Sequence, residues 1–224
     1  MRKRVDAVLV VSLVLTDEEL AALAGLGCPV ALLGLDRPEF LSTRIDDVAG
    51  AQIAVEHLLA RGHRRIGLIG GDTDDPMRFT PPLHRRDGYR EALTAAGIAL
   101  DPALEELVYF TVAGGATATD RLLELPAPPS AIFAESDEMA YGALRTARRR
   151  GLRVPDDLAV IGFDDQAMAE TMDLSTIRQP VAEQAVDITT RLLAAVGAES
   201  TPNTVVLPTE LVVRGSTDAS KSVS

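Results

Sequence analysis

The chain has 224 residues, with 22 Lys+Arg against 33 Asp+Glu, a net charge of −11, one cysteine and no tryptophan. At about 100–200 residues per domain this is one large domain or two small ones, and 46% apolar residues suffice to bury a core without disulfides or metal. The negative charge argues against a broad grip on phosphate backbone by this polypeptide itself, the lone Cys28 cannot form an internal disulfide and fits a reducing compartment, and no apolar run reaches the roughly 18–20 residues that span a bilayer.

The start, Met1-Arg2-Lys3-Arg4, is basic. However, the apolar stretch Ala7–Leu15 runs into Thr16-Asp17-Glu18-Glu19 instead of a small-residue cleavage site, so no signal peptide is read and a cytoplasmic location is expected. Val5–Val11 reads as a buried strand, apolar on both faces as an interior strand should be. Thr16-Asp17-Glu18-Glu19 has the form of a capping box and opens a helix through Leu26, which Gly27 ends. Pro29–Leu35 is a second strand, residues 48–60 a helix, and Ile66–Ile69 a third strand. Gly70–Pro82, rich in Gly, Asp and Pro, is a loop that marks a passage between two lobes. A helix over 83–96, a strand at Leu107–Thr111 and a helix over 116–125 follow, the last cut off by Pro126. Ala131–Ala134 is a strand. Asp137–Arg150 is a helix with Ser136 as its cap, acids in its first turn and arginines in its last. Leu158–Phe163 is a strand, Val181–Val196 a helix, and Thr204–Val213 one or two final strands. Ser216–Ser224 reads as a polar tail.

Strand–helix alternation of this kind implies an α/β fold with parallel sheets flanked by helices. In such sheets ligands sit outside the carboxyl ends of the strands. That rule selects Asp36, Asp72, Ser136, Asp137, Asp164 and Asp165. The competing reading is that Asp and Ser at these junctions are helix caps and turn formers. The Asp164-Asp165 pair stands out, because two carboxylates at one strand tip repel unless a donor meets them. Arg85-Arg86 supply the side chain that holds carboxylates or sugar hydroxyls in a fixed fork, against the alternative of a solvated helix face.

Signs of catalysis are poor. There is no Gly-rich dinucleotide or Walker loop, no Gly-x-Ser-x-Gly elbow, and His57, His63 and His84 lack metal-ligand spacing. Gly70-Gly71 resembles a phosphate turn only loosely, and Asp72, Asp74 and Asp75 would repel phosphate. Cys28 has the apolar setting of an inert thiol. No catalytic residue, metal or cofactor is therefore assigned, and the chain is not expected to be an enzyme.

Four segments, in order, resemble the lactose-repressor (LacI/GalR) family of bacterial transcription regulators. They are Leu59–Gly71, Ser136–Ala143, the stretch from Gly151-Leu152-Arg153-Val154-Pro155-Asp156 to Gly162-Phe163-Asp164-Asp165, and Pro208–Ser216. The resemblance covers the chain almost to Thr217. It implies a two-lobed, periplasmic-binding-protein-like effector domain that takes a small sugar-like or nucleoside-like ligand between its lobes and works as a homodimer, away from membranes. Asp164 matches the family's ligand-binding aspartate and Arg85 its ligand-binding arginine. Ser136 stands where many members place a ligand-binding Asn, Asp46 lies at the Val-Asp-Asn position, and Asp36 is offset by one residue from the usual Ile-Asp-Arg strand ending. Phe79, Thr80 and Pro81 fall where ligand choice is often set.

Family members begin with a helix-turn-helix headpiece, a hinge helix and two further βα units, none of which precedes Val5 here. DNA binding is thus expected only through a headpiece outside this sequence. Unpaired, Val5–Val11 would be an exposed sticky edge, so that edge is expected to be covered by another chain, or the first lobe to be visibly incomplete; an ordered, exposed and unpaired Val5–Val11 in a monomer would contradict this. The expected division places residues 1–78 and 178–202 in the first lobe, 79–177 and 203–217 in the second, and 218–224 in a disordered tail. A solute-binding protein of a sugar transporter shares the fold and is the alternative. A small α/β hydrolase or phosphotransferase comes third for want of a nucleophile or phosphate motif.

Overall fold

A computed structural model describes residues 5–13, 15–71, 80–198 and 201–218. In chain order the first elements are β1 (Val8–Val11), α1 (Asp17–Ala24), β2 (Val30–Leu33), β3 (Leu41–Ile45), α2 (Asp47–Ala60), β4 (Ile66–Gly71) and α3 (Pro81–Ala95). A short 3-10 turn then leads to β5 (Glu105–Val108), α4 (Val112–Leu123), β6 (Ala131–Ala134), α5 (Asp137–Arg149) and β7 (Ala159–Asp164). The chain ends with α6 (Ala167–Thr171), β8 (Ser175–Arg178), α7 (Val181–Ala195), β9 (Thr204–Leu207) and β10 (Glu210–Val212).

These elements divide into two compact units. One holds Met1–Asp46, Pro76–Pro81 and Pro180–Pro208; the other holds Asp47–Asp75, Pro82–Gln179 and Thr209–Ser224. The chain thus first changes unit at Asp46–Asp47, not near residue 78, and α2 and β4 belong to the second unit. The reason is packing. A Cβ on Gly50 of α2 would lie 2.9 Å from the Phe163 ring of β7, and one on Gly88 of α3 would lie 2.3 Å from the Val48 carbonyl oxygen. Small residues let α2 sit directly against the second sheet and against α3. The later crossings, at 179–180 and 208–209, leave β9 in the first unit, whereas 203–217 was expected to lie wholly in the second.

The first unit is a four-stranded parallel sheet in the order β1-β2-β3-β9. Thr16 and Glu19 make the expected capping box on α1. Among the described residues β1 pairs with β2 alone, and its Leu9 and Val11 are 39% and 49% exposed. The strand read as interior therefore lies at an edge. The central strand β3 has no apolar signature, since Ser42-Thr43-Arg44 forms its middle. Ser42 and Thr43 are nevertheless fully buried. Thr43 donates to Asp187 of α7 at 2.5 Å and Arg191 donates to the Ser42 carbonyl at 2.9 Å, so partners far along the chain meet the Thr43 hydroxyl and the strand's backbone, while the Ser42 hydroxyl has no partner among the described residues.

The second unit is a six-stranded sheet in the order β10-β8-β7-β6-β4-β5, parallel except for β10. Its core includes Leu68, Ile69, Ile132, Phe133, Val160 and Ile161, all with under 1% exposure. Since β4, β6 and β7 run parallel, their carboxyl ends and the polar residues that follow them emerge on one side. The tail is not wholly loose. Ser216 and Thr217 are buried, with Ser216 donating to the Val160 carbonyl at 2.6 Å. Asp218 pairs with Arg61 at 2.7 Å, and residues 219–224 lie outside the described ones. No helix of the described residues is long and apolar enough to cross a membrane.

Candidate ligand-binding site

Arg85 enters the second unit from α3 and is 4% exposed. Its Nε donates to Asp47 Oδ1 at 2.8 Å, and its Nη1 donates to the Glu135 carbonyl oxygen and, at 3.5 Å, to Asp164 Oδ1. Its guanidinium lies 3.7 Å from the centroid of the Phe163 ring. Burial works against the charge of Arg85, but the carboxylates of Asp47 and Asp164 outweigh it and hold the guanidinium firmly protonated. A planar cation stacked on a ring and gripped at its edge is fixed in orientation.

Asp164 closes β7 and Asp165 follows it, at φ 121° and 55°. Both values are in the range that non-glycine residues avoid, at a cost of order 1–3 kcal/mol each. Each carboxylate has its own donors, as the repulsion argument required. Asp164 accepts from Arg85 and from Gln179 Nε2, whereas Asp165 accepts from Arg178 at 2.7 Å and Arg214 at 2.8 Å. Burial nevertheless raises the Asp164 carboxyl above the ordinary range, against the pull of Arg85 and Gln179. Burial acts on Asp165 too, but Arg214 and Arg178 overcome it and hold that carboxyl low. Of the Arg85 partners, Asp164 is the more open, with 22% of its side chain exposed against 9% for Asp47.

Three consecutive polar residues follow β6. Ser136 is 4% exposed and caps α5, its Oγ accepting the Met139 N–H at 3.3 Å. The capping role read from sequence is therefore filled. Asp137 is fully buried, accepting from Thr176 Oγ1 at 2.6 Å and from the Gln166 N–H at 2.8 Å. Burial pushes its carboxyl up to about 7 despite those donors. Glu135 is also fully buried, and burial pushes it up to about 8.

Arg85 and Asp164 are thus brought together, with Ser136 on the adjacent strand tip. Asp46 is exposed and belongs to the first unit. Its neighbour Asp47, at the start of α2, is the residue that pairs with Arg85. Glu135 and Asp47 were not singled out in sequence. The signal for Asp47 was the doubled acid before a helix, and for Glu135 an acid directly after a buried strand. Arg86 pairs with Glu105 at 2.7 Å, as does Arg90 at 2.8 Å, so Arg86 serves the fold. Asp36 accepts from Thr204 at 2.6 Å in the first unit, and Thr80 donates to the Gly34 carbonyl there at 3.4 Å. Asp72, Asp74, Asp75 and Phe79 lie outside the described residues. Cys28 is half-buried, and no cluster of metal-ligating side chains occurs among the described residues.

Residues 55–217 match the family described as periplasmic binding protein-like domain. The HTH-type transcriptional repressor CytR of Escherichia coli (strain K12) is 39% identical over 184 residues, covering 81% of this chain and 53% of its own length. The HTH-type transcriptional regulator CelR of Thermobifida fusca is 35% identical over 221 residues, covering 96% and 64%. The chain thus spans between about half and two thirds of these two relatives. Among solved structures, a transcriptional regulator CelR–cellobiose complex superposes with a TM-score of 0.85 at 35% identity, over 95% of this chain and 66% of that one. A LacI-family regulatory protein from Chloroflexus aggregans does so with a TM-score of 0.85 at 33% identity, over 95% and 76%.

Proposed function

We propose, from the premise that this chain belongs to the LacI family of transcriptional regulators through its periplasmic-binding-protein-like domain, that it is the effector-sensing part of a cytoplasmic DNA-binding repressor. The ligand is a small, hydroxyl-rich molecule of the sugar or nucleoside class. Arg85 donates to it, Asp164 accepts from it, and Ser136 and Asp46 are further contacts. DNA is held by a headpiece outside this sequence. The observation that carries the reading is the buried Arg85 fixed between Phe163, Asp47 and Asp164, with Asp164 the more open of the two acids. Charged groups prepaid in one geometry reject a ligand that leaves them unmatched, which gives specificity.

A thermal-shift screen over cellobiose, other saccharides and nucleosides tests it. A ligand at about 100 times its Kd stabilises by roughly 2.7 kcal/mol. The shift is expected to vanish in Arg85→Lys and Asp164→Asn. A shift retained in full by both removes the site.

The homodimer expected from the family is proposed to form through the outer face of α5. A cleft of about 680 Å³ there is walled by Tyr141, Leu144, Val154 and Met172 and edged by Arg145 and Arg148, which make no ion pair among the described residues. Glu138 is exposed one turn before Tyr141 on the same face. Glu138 and Arg145 are seven residues, or about 10 Å, apart on the helix. A second copy packed antiparallel across a two-fold axis would set Glu138 of each against Arg145 of the other. Light scattering on Glu138→Arg, on Arg145→Glu and on the double exchange tests this. Dimer loss in each single variant and recovery in the double is expected; a dimer unaffected by all three refutes this interface.

A further inference from the structure

Glu135 has no part in the reading above, yet three segments meet on it. Its Oε2 accepts the Gly71 N–H from the tip of β4 at 2.8 Å, and its main-chain carbonyl at the tip of β6 accepts from Arg85. Its Oε1 is buried without a hydrogen-bond partner among the described residues. The absence of a side chain at Gly70 makes room for it, since a Cβ there would lie 3.1 Å from Oε1 and 2.9 Å from Leu107. The cations that act on this carboxyl are Arg85 and Arg86, and Asp47 opposes them from α2. Arg86 is committed to Glu105 at 2.7 Å, and Arg85 already serves two carboxylates. A third anion on that guanidinium, with one oxygen unmet, would be a poorly paired buried charge. An uncharged carboxyl with an unpaired hydroxyl costs less.

We propose that Glu135 is the positioning residue of this site: uncharged, it leaves the guanidinium of Arg85 to Asp47 and Asp164, and ionised, it competes with Asp164 for that guanidinium. Its importance for a ligand rests on the function proposed above. The state of Glu135 does not, and the experiment uses the full chain without ligand, so either idea can fail alone.

Urea unfolding is measured at pH 7 and pH 8. A proton held by the folded chain and absent from the unfolded one lowers the folding equilibrium as pH rises, by up to about tenfold per unit. Burial places the Glu135 carboxyl at about 8, far above an unfolded glutamate, so wild type is expected to lose stability across this interval. Glu135→Gln keeps the shape without the proton and is expected to fall less than wild type, keeping only the smaller loss that Asp137, with its carboxyl at about 7, contributes to both. An equal fall in Glu135→Gln overturns the proposal. In parallel, the side-chain ¹⁵N resonances of Arg85 are expected to move between pH 7 and 9 in wild type and to stay fixed in the variant. Resonances that stay fixed in wild type overturn the positioning role. Should the variant fail to fold, infrared spectra of wild type with ¹³C-labelled glutamate carboxyls, which set glutamate apart from Asp137 and Asp164, decide: a shifted carboxylic-acid carbonyl band present at pH 7 and lost by pH 9 supports the proposal, and its absence at pH 7 overturns it.

Discussion

The guanidinium of Arg85 rests 3.7 Å from the centroid of the Phe163 ring, and the same ring is the surface against which Gly50 of α2 packs. One aromatic side chain thus sets both the seating of a helix and the plane of the charged group proposed to meet the ligand.

Gly50→Ala is expected to destabilise the chain by about 1–3 kcal/mol, because the new Cβ, at 2.9 Å from the ring, forces Phe163 away from its seat under Arg85. Urea unfolding measures it. A change within about 0.5 kcal/mol, the range of ordinary surface substitutions, would show that the ring yields freely.

Removing Arg85 leaves Asp47 and Asp164 without their shared cation. Arg85→Met is expected to cost about 3–5 kcal/mol, and addition of Asp47→Asn and Asp164→Asn to restore most of it, since a dry neutral cluster tolerates burial better than a broken ion pair. Additive losses in the triple variant would contradict a coupled cluster.

Ser136→Ala removes the acceptor of the Met139 N–H and is expected to cost about 0.5–2 kcal/mol as a cap alone. If Ser136 also meets the ligand, the thermal shift produced by that ligand shrinks in the variant relative to the ligand-free melting point. A shift of unchanged size would leave Ser136 as a cap only.

His57 is hydrogen-bonded to Thr217 at 2.8 Å, and burial, with Arg61 beside it, lowers its pKa to about 4 against the pull of Asp218. Its folded value lies below the unfolded one near 6.5, so the unfolded chain takes up the proton first. The neutral imidazole therefore contributes stability above pH 6.5 that is lost as pH falls toward 4. Melting points over that interval should drop less in His57→Gln than in wild type; parallel curves would assign the acid sensitivity elsewhere.

Local chemistry fixed much of the chain in advance. The Thr16–Glu19 box, the buried run Ala131–Ala134 and the Ser136-capped helix with arginines in its last turn all formed where the residues placed them, because their determinants lie within a few positions of one another. Arg85 and Asp164 were legible as candidates, since an Arg after a polar loop and an acid pair at a strand tip are short-range patterns. Only tertiary structure decided the rest. Strand β3 has a polar middle, Ser42-Thr43, and β8 a polar start, Ser175-Thr176; Asp187 and Arg191 meet the Thr43 hydroxyl and the Ser42 carbonyl, and Arg214 and Asp137 meet the Ser175 and Thr176 hydroxyls, from far along the chain. The choice of Asp47 over Asp46 as the partner of Arg85 follows from where α2 docks, and the unmet oxygen of Glu135 exists only once β4 and β6 are paired. The size and charge of the opening description, 224 residues at −11, say one or two acidic domains. They do not say that one buried arginine holds the acids at its centre, because that arrangement depends on contacts that local sequence cannot encode.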